Sequence, residues 1–281
     1  EQKRVAIKEY LPNTLALRGE GRTTPIISEE HLPAFRYGMK CFFEEGRTLA
    51  GLSHPNVIRV LNFFRANDTV YMVMEYEHGR TLQDLIQKNP AIVTENFIRN
   101  VFTKMLNGLR EVHSHRLLHL DLKPSNIYMR NSHTPVLIDF GAARQTLACD
   151  TPMLKPMYTP GFASPEHYDR RDLLGPWSDV YSVGASMYAC ISGSTPQPAN
   201  ERRDKDRLVP AMVRWQGLYS DQLLETIDWC LNLNHSYRPQ SVFALQKALT
   251  APVIAAESIS VQQKGSLLRQ VVGKLRKARD Q

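Results

Sequence analysis

Three early stretches carry strand-like patterns of apolar and polar residues. Arg4 to Glu9, Val57 to Phe64 and Thr69 to Glu75 each predict a strand, and Ala66-Asn67-Asp68 supplies turn residues between the last two. Between the first and second, Ala34 to Leu52 changes to a helical period, with Phe42, Leu49 and Leu52 on one face and Phe43 and Gly46 nearby. Gly79 then breaks the chain. From Leu82 onward helical patterns dominate. Asn96 to Ser114 predicts a long amphipathic helix, with Phe97, Val101, Met105 and Leu109 recurring at every fourth position. Two short strand-like runs follow, Ile127 to Met129 and Val136 to Ile138, then helices over Asp179 to Ser192 and Leu223 to Leu233. The pattern predicts a small strand-rich part joined near Glu75 to Gly79 to a larger helical part. A cleft between two such parts is a common place for a ligand.

Composition narrows the picture. The chain has 281 residues, 42% hydrophobic and 22% charged, which fits a soluble folded protein and argues against a disordered one. That length serves one large domain or two lobes sharing a cleft. No apolar run is long enough for a membrane-spanning helix. No signal peptide is visible, and a strand already under way at Val5 implies that sequence upstream of Glu1 is missing. The net charge is +7, but Lys and Arg are spread through the chain except for a concentration at the C-terminus. Nucleic-acid binding needs charge gathered on one patch, so no nucleic-acid partner is expected. Cys41, Cys149, Cys190 and Cys230 lie far apart, without zinc spacing, and read as reduced thiols of a cytoplasmic protein.

The chemistry sits in four short segments. Val5-Ala6-Ile7-Lys8 puts a lysine on a strand. His119-Leu120-Asp121-Leu122-Lys123-Pro124-Ser125-Asn126 is a polar loop. Asp139-Phe140-Gly141 follows a strand directly, and Ser164-Pro165-Glu166 follows a loop. Phosphoryl transfer needs a cation on the phosphates, hard oxygen ligands for Mg²⁺, and a carboxylate near the acceptor hydroxyl. These segments supply each in order. They resemble the protein-kinase signatures V-A-I-K, H-R-D-L-x-x-x-N, D-F-G and A-P-E. Any one is a weak signal, and four in order are specific. The resemblance spans roughly residues 1 to 250.

The resemblance implies an α+β, bilobal protein-kinase fold: a small N-lobe over residues 1–78, a mainly helical C-lobe over 79–250 and a tail over 251–281. It also implies ATP as substrate with Mg²⁺, or Mn²⁺ in its place. Lys8 would pair with the ATP phosphates and with an acidic residue of the first helix. Glu45 fits that place by its spacing to His54-Pro55-Asn56, ahead of its neighbour Glu44. Asp121 would act on the hydroxyl proton of a protein substrate, Lys123 would meet the γ-phosphate, and Asn126 and Asp139 would hold the metal. Lys123 looks like the Ser/Thr rather than the Tyr branch. Thr159 matches the threonine that bonds back to the catalytic Asp and Lys. Met74 is the expected gatekeeper, with main-chain groups of Glu75 and Glu77 at the adenine edge. His119, Asp179 and the pair Glu166–Arg238 would support the loops. The stretches Lys8 to Pro12 and Pro135 to Arg144 look most like bacterial Hanks-type (eukaryotic-type) Ser/Thr kinases.

Three features depart from the family pattern. The Gly-rich loop, expected ahead of Val5, is not in the sequence. Leu120 replaces the arginine of H-R-D, which in the family receives the phosphate of an activation loop. The interval from Lys8 to Glu45 is about twice the family's usual spacing, and its extra stretch, Leu11 to Ala34, reads as a surface loop, either simply solvated or a regulator site. In the tail, Leu267, Leu268, Val271, Val272 and Leu275 form a stripe among Lys and Arg. Such a helix suits an anionic membrane or a regulator, and equally a helix folded back on the lobe or a linker. Two rival functions stand beside this one. An inactive nucleotide-binding scaffold would be expected to lack Lys8, Asp121, Asn126 or Asp139. A small-molecule kinase would lack the set Ser-Pro-Glu, Asp179 and Arg238. All of these are present.

Overall fold

The computed structural model describes residues 4–140 and 158–251. The chain divides into two units, Glu1–Thr250 and Ala251–Gln281. Gly141, Cys149, Thr146, Thr151 and the apolar stripe of the tail lie outside the described residues.

The strand-rich part begins with β1 (Val5–Glu9), α1 (Leu32–Ala50), β2 (Val60–Ala66) and β3 (Thr69–Glu75). The three strands form an antiparallel sheet in the order β1-β3-β2. Asn67 and Asp68 both take positive φ, +50° and +56°, which lets two residues reverse the chain between β2 and β3. The second strand starts at Val60 rather than Val57. Val57 instead makes a single parallel bridge to Leu137, and the β2 register shifts between Val60 and Asn62. The helix α1 covers one sheet face with Phe35, Cys41, Phe42, Glu45, Gly46 and Leu49. Gly38 is required there, because a Cβ would lie 1.9 Å from the Tyr10 hydroxyl.

The stretch from Leu11 to Ala34 is less solvated than its sequence suggests. Leu17 and Ile26 exchange both backbone hydrogen bonds, at 3.0 and 2.7 Å. Leu11, Leu15 and Ile27 pack against the core, and Ala16 is buried in it. Scattered apolar residues too sparse to show a period still find cover once a bridge pins the loop.

The helical part opens with β4 (Gly79–Thr81) and α2 (Leu82–Lys88), followed by α3 (Glu95–Ser114). Thr81 and Thr94 cap α2 and α3 by accepting from the Asp84 and Phe97 N–H groups. A second antiparallel sheet runs β4-β5-β6, with β5 Ile127–Arg130 and β6 Pro135–Leu137. The remaining helices are α4 (Glu166–Asp169), α5 (Pro176–Ser192), α6 (Ala199–Asp204), α7 (Ala211–Arg214), α8 (Asp221–Cys230) and α9 (Val242–Thr250). The helix α5 is buried from Ser178 to Cys190, so it is the axis of this part, with α3, α8 and α9 packed on it. It starts three residues ahead of Asp179 because Pro176 suits a first helical turn. On α3 the buried face is broader than one stripe. It includes Ile98, Phe102 and Leu106, while Phe97 is only partly covered.

Candidate active site

Asp179, fully buried on α5, organises the loop from His119 to Asn126. Its Oδ2 accepts from the His119 N–H at 2.9 Å and faces His113 Nε2 at 2.7 Å, and its Oδ1 accepts from the Leu120 N–H at 2.8 Å. Burial alone raises this carboxyl, but the His113 hydrogen bond and the neighbouring charges outweigh it and hold it below the usual carboxylate range. Leu120 is buried and sits at φ +62°, a region costly for a side chain with Cβ. The paired N–H groups on Asp179 hold that turn. His119 is fully buried, bonds the Ile138 carbonyl through Nε2 at 3.1 Å and packs on Phe140 at 4.5 Å. Burial pushes its imidazole down, toward the neutral form.

Asp121 sits at the centre of a closed polar set. Its Oδ2 accepts from Lys123 Nζ at 2.8 Å and from Asn126 Nδ2 at 3.0 Å. Its Oδ1 accepts from the Thr159 hydroxyl at 2.7 Å, and that hydroxyl in turn accepts from Lys123 Nζ at 2.6 Å. Asn126 Nδ2 also donates to the Asp121 carbonyl at 2.8 Å, which leaves the amide oxygen of Asn126 aimed away from the loop. The sequence places Thr159 far along the chain from Lys123, and the fold joins them.

Across the cleft, Lys8 Nζ bonds Asp139 Oδ1 at 2.5 Å. The sequence expectation pairs Lys8 with Glu45. Glu45 is buried on α1 and lines the same cavity as Lys8 and Asp139. Asp139 takes φ +60°, which turns its carboxylate into the cleft at the end of the strand-like run. The cavity has a volume of about 410 Å³ and also touches Met74, Glu75 and Glu77. The Glu75 N–H is taken by the Arg59 carbonyl at 2.9 Å. A ligand edge at Glu75 would therefore meet its carbonyl.

Several residues of this cavity were given no role by the sequence. Ala6, Ile58, Tyr128 and Ile138 line it. Tyr128 donates from its hydroxyl to the Glu77 carbonyl at 3.3 Å. Arg130 forks onto the Glu77 carboxylate, with Nε donating to Oε2 at 2.7 Å and Nη2 bonded to Oε1. Its Nη1 donates to the Pro55 carbonyl at 2.7 Å. The register that sets Gly79 opposite Arg130 brings this clamp under the linker. A signal was available only as a bulky Tyr and a charged Arg on a four-residue strand.

Beyond the cleft, Glu166 and Arg238 form a bidentate pair, Nη1 to Oε1 at 2.8 Å and Nη2 to Oε2 at 3.1 Å, with Ser178 donating to Oε1 at 2.7 Å. Arg238 is 2% exposed and its guanidinium lies over the Tyr181 ring at 5.0 Å. Burial alone raises the Glu166 carboxyl, but the Arg238 hydrogen bonds and charge outweigh it and hold the group below its ordinary range. Cys41, Cys190 and Cys230 are buried, and burial pushes the Cys190 thiol up to about 12, far from a reactive thiolate.

A two-part fold, a lysine and an aspartate facing each other across a cavity, and a carboxylate held by lysine, asparagine and threonine define a phosphotransferase-type site. The protein kinase domain family matches residues 28–253, and the chain belongs to that family. The match begins after Lys8, so the placement of that lysine rests on the sheet and cavity. Among similar proteins, human Serine/threonine-protein kinase Nek2 is 33% identical over 232 residues, covering 76% of this chain and 50% of that protein. Serine/threonine-protein kinase B of Synechocystis is 32% identical, covering 78% of this chain and 39% of that protein. The solved structure of the apo form of PpkA-294 superposes with a TM-score of 0.76 at 33% identity, covering 87% of this chain and 86% of that one. The chain thus spans about half or less of the length of these curated relatives. The family places it among the Hanks-type Ser/Thr kinases, whose fold is the bilobal α+β arrangement described above. Among the described residues no helix is long and apolar enough to cross a membrane.

Proposed function

We propose that this chain is a catalytically competent protein Ser/Thr kinase domain that moves the γ-phosphate of ATP to hydroxyls of protein substrates. The carrying observation is the closed set of Asp121, Lys123, Asn126 and Thr159 on the floor of a cleft whose walls bring Lys8 and Asp139 together. The donor set fits the nucleotide and its metal. Asp139 and Asn126 offer the carboxylate and amide oxygens that Mg²⁺ prefers, and Lys8 offers a cation for phosphates. Bound Mg²⁺ supplies charge neutralisation on the phosphate oxygens. Asp121 orients the incoming hydroxyl and accepts its proton. Lys123, already held between Asp121 and Thr159, stabilises charge on the transferred group. Met74 borders the base site, and the Glu75 carbonyl and Glu77 main chain face the base edge. Asp139 would hold the metal, and Glu45, which lines the same cavity, would then back Lys8.

Incubation with γ-labelled ATP and a generic protein acceptor tests this. The expected result is Mg²⁺-dependent label on Ser and Thr, abolished by chelator. Label on Tyr alone, or none with metal present, contradicts it. Arg130→Ala frees the linker at Glu77 and is expected to raise the KM for ATP about tenfold, the scale of a lost charge-assisted bond, with kcat less affected. ATP titration of initial rates checks it.

Leu120 is apolar and buried, so it offers no guanidinium to an activation-loop phosphate. Activity is therefore expected without phosphorylation at Thr146 or Thr151. Single Ala and Glu variants at each test this. Loss with Ala and recovery with Glu would contradict it, whereas Thr159→Ala loses activity through position alone. A cytoplasmic site of action, and contact of the basic tail with a membrane or a regulator, belong to the same reading. Equal liposome pelleting with and without residues 264–281 would remove the membrane contact.

A further inference from the structure

The loop after Thr159 rests on a second, polar cavity. Gly161 has φ +87°, and a Cβ there would lie 2.4 Å from Thr195 Cγ2 and 2.6 Å from the Pro196 carbonyl oxygen. Thr195 and Pro196 form part of the wall of a cavity of about 310 Å³. Two residues of chain span at most ~7 Å. One wall of the cavity therefore stands within a short reach of the threonine that touches Asp121 and Lys123.

Two arginines from separate segments, Arg207 and Arg214, line this cavity. The Arg214 guanidinium lies 5.7 Å from the Tyr188 ring centroid and 5.1 Å from that of Trp215. Its Nη1 donates to the Tyr188 hydroxyl at 3.1 Å, and that hydroxyl donates to the Val209 carbonyl at 2.9 Å. The group is thus held beside two rings and by one hydrogen bond, with most of its donors still available. Arg207 is anchored at its backbone, where the N–H donates to Gln197 Oε1 at 2.8 Å. Gln197 in turn donates to the Lys205 carbonyl at 2.9 Å. Neighbouring Arg202 and Arg203 are paired with Asp206 and Asp169. Among the described residues, neither Arg207 nor Arg214 has a carboxylate within ion-pair distance. Glu201 is the one acidic side chain on the wall, which leaves the cavity net positive.

We infer that this cavity is a specificity subsite that binds an acidic side chain of the protein substrate, within a few residues of the phosphorylated Ser or Thr. The inference rests on the kinase reading. A planar guanidinium held on two aromatic faces suits bidentate recognition of a carboxylate. Arg207 adds a second charge on a fixed backbone. The subsite raises kcat/KM for acidic substrates through KM, because the carboxylate is bound equally before and during transfer.

The test uses serine peptides carrying Glu, Gln or Lys in turn at each position flanking the acceptor, with kcat and KM measured separately. For the wild-type chain, Glu is expected to exceed Gln by about tenfold in kcat/KM at one position, carried by KM, with Lys below both. Arg214→Gln is expected to collapse the Glu-to-Gln ratio at that position. Arg207 is exposed, so Arg207→Glu keeps the fold and is expected to reverse the order, favouring Lys. Equal kcat/KM for Glu and Gln at every position, or an unchanged preference in Arg207→Glu, overturns the subsite and leaves the kinase reading standing. Absence of transfer to every peptide overturns both.

Discussion

Replacing Asp121 is expected to lower phosphate transfer by about 10²–10⁴-fold, the usual contribution of a positioned general base, while ATP still binds. Two variants separate chemistry from support. Asp121→Ala removes the proton acceptor and leaves Lys123 and Thr159 bonded to each other at 2.6 Å. Asp121→Asn is worse placed than its size suggests. The two carboxylate oxygens accept from Lys123, Asn126 and Thr159, so an amide nitrogen at the Oδ2 position would face the Lys123 and Asn126 donors, and the amide is confined to the orientation in which the Thr159 hydroxyl turns to accept from it. Both variants should lose transfer, and Asn, which keeps the size and one compatible orientation, should lower the thermal midpoint less than Ala. Rates from label transfer, nucleotide affinity from titration and midpoints from thermal denaturation check the three parts.

The second large effect is on stability. Glu166→Ala leaves the Arg238 guanidinium buried at 2% exposure without its anion. Breaking a buried pair from one side costs about 3–5 kcal/mol, against a total of roughly 5–15 kcal/mol for a folded domain. Arg238 keeps its bonds to the Asn232 and Leu233 carbonyls, at 2.7 and 3.0 Å, so the lower end of that range is expected. The pair also sets an acid dependence. The folded carboxyl is held below its ordinary value of 4.5, so its stabilisation is complete above that value and is lost as pH falls through the folded pKa. Thermal midpoints of the wild-type chain should fall below about pH 4.5 more steeply than those of Glu166→Gln. Parallel acid profiles for the two would remove Glu166 from that dependence.

The legible part of the site was the part carried by ordered motifs. Lys8, Asp121, Lys123, Asn126, Asp139 and Thr159 were all assigned through their resemblance to kinase motifs, and the fold brings Lys8 against Asp139 and Thr159 against Asp121 and Lys123. The linker clamp was not legible, because Arg130 reaches Glu77 only through the register of β4 with β5. Arg214 likewise gains its setting from Tyr188, on a helix far away in sequence. The helices α1, α3, α5 and α8 were legible in the sequence, whereas the shorter α2, α4, α6, α7 and α9 were not. Helix ends were not legible either, since Pro176 and Ser220 set the starts of α5 and α8 through capping rather than pattern. The second strand began late for a physical reason. Val57 reads as strand from its side chain, but its backbone pairs with Leu137 of the other sheet. The stretch from Leu11 to Ala34 read as solvated because its buried residues are too few to make a period, yet Ala16 and Ile27 are tied to the core.

The proposed function stands on phosphate transfer in the cleft by way of Asp121. The most direct measurement is label transfer from γ-labelled ATP to a protein acceptor in Mg²⁺, with wild type and Asp121→Ala compared at matched nucleotide occupancy. Steady label on Ser and Thr by wild type, and a loss of about 10²-fold or more in the variant, is the predicted result. Equal transfer by the two chains, or none by wild type while ATP is bound, would contradict it.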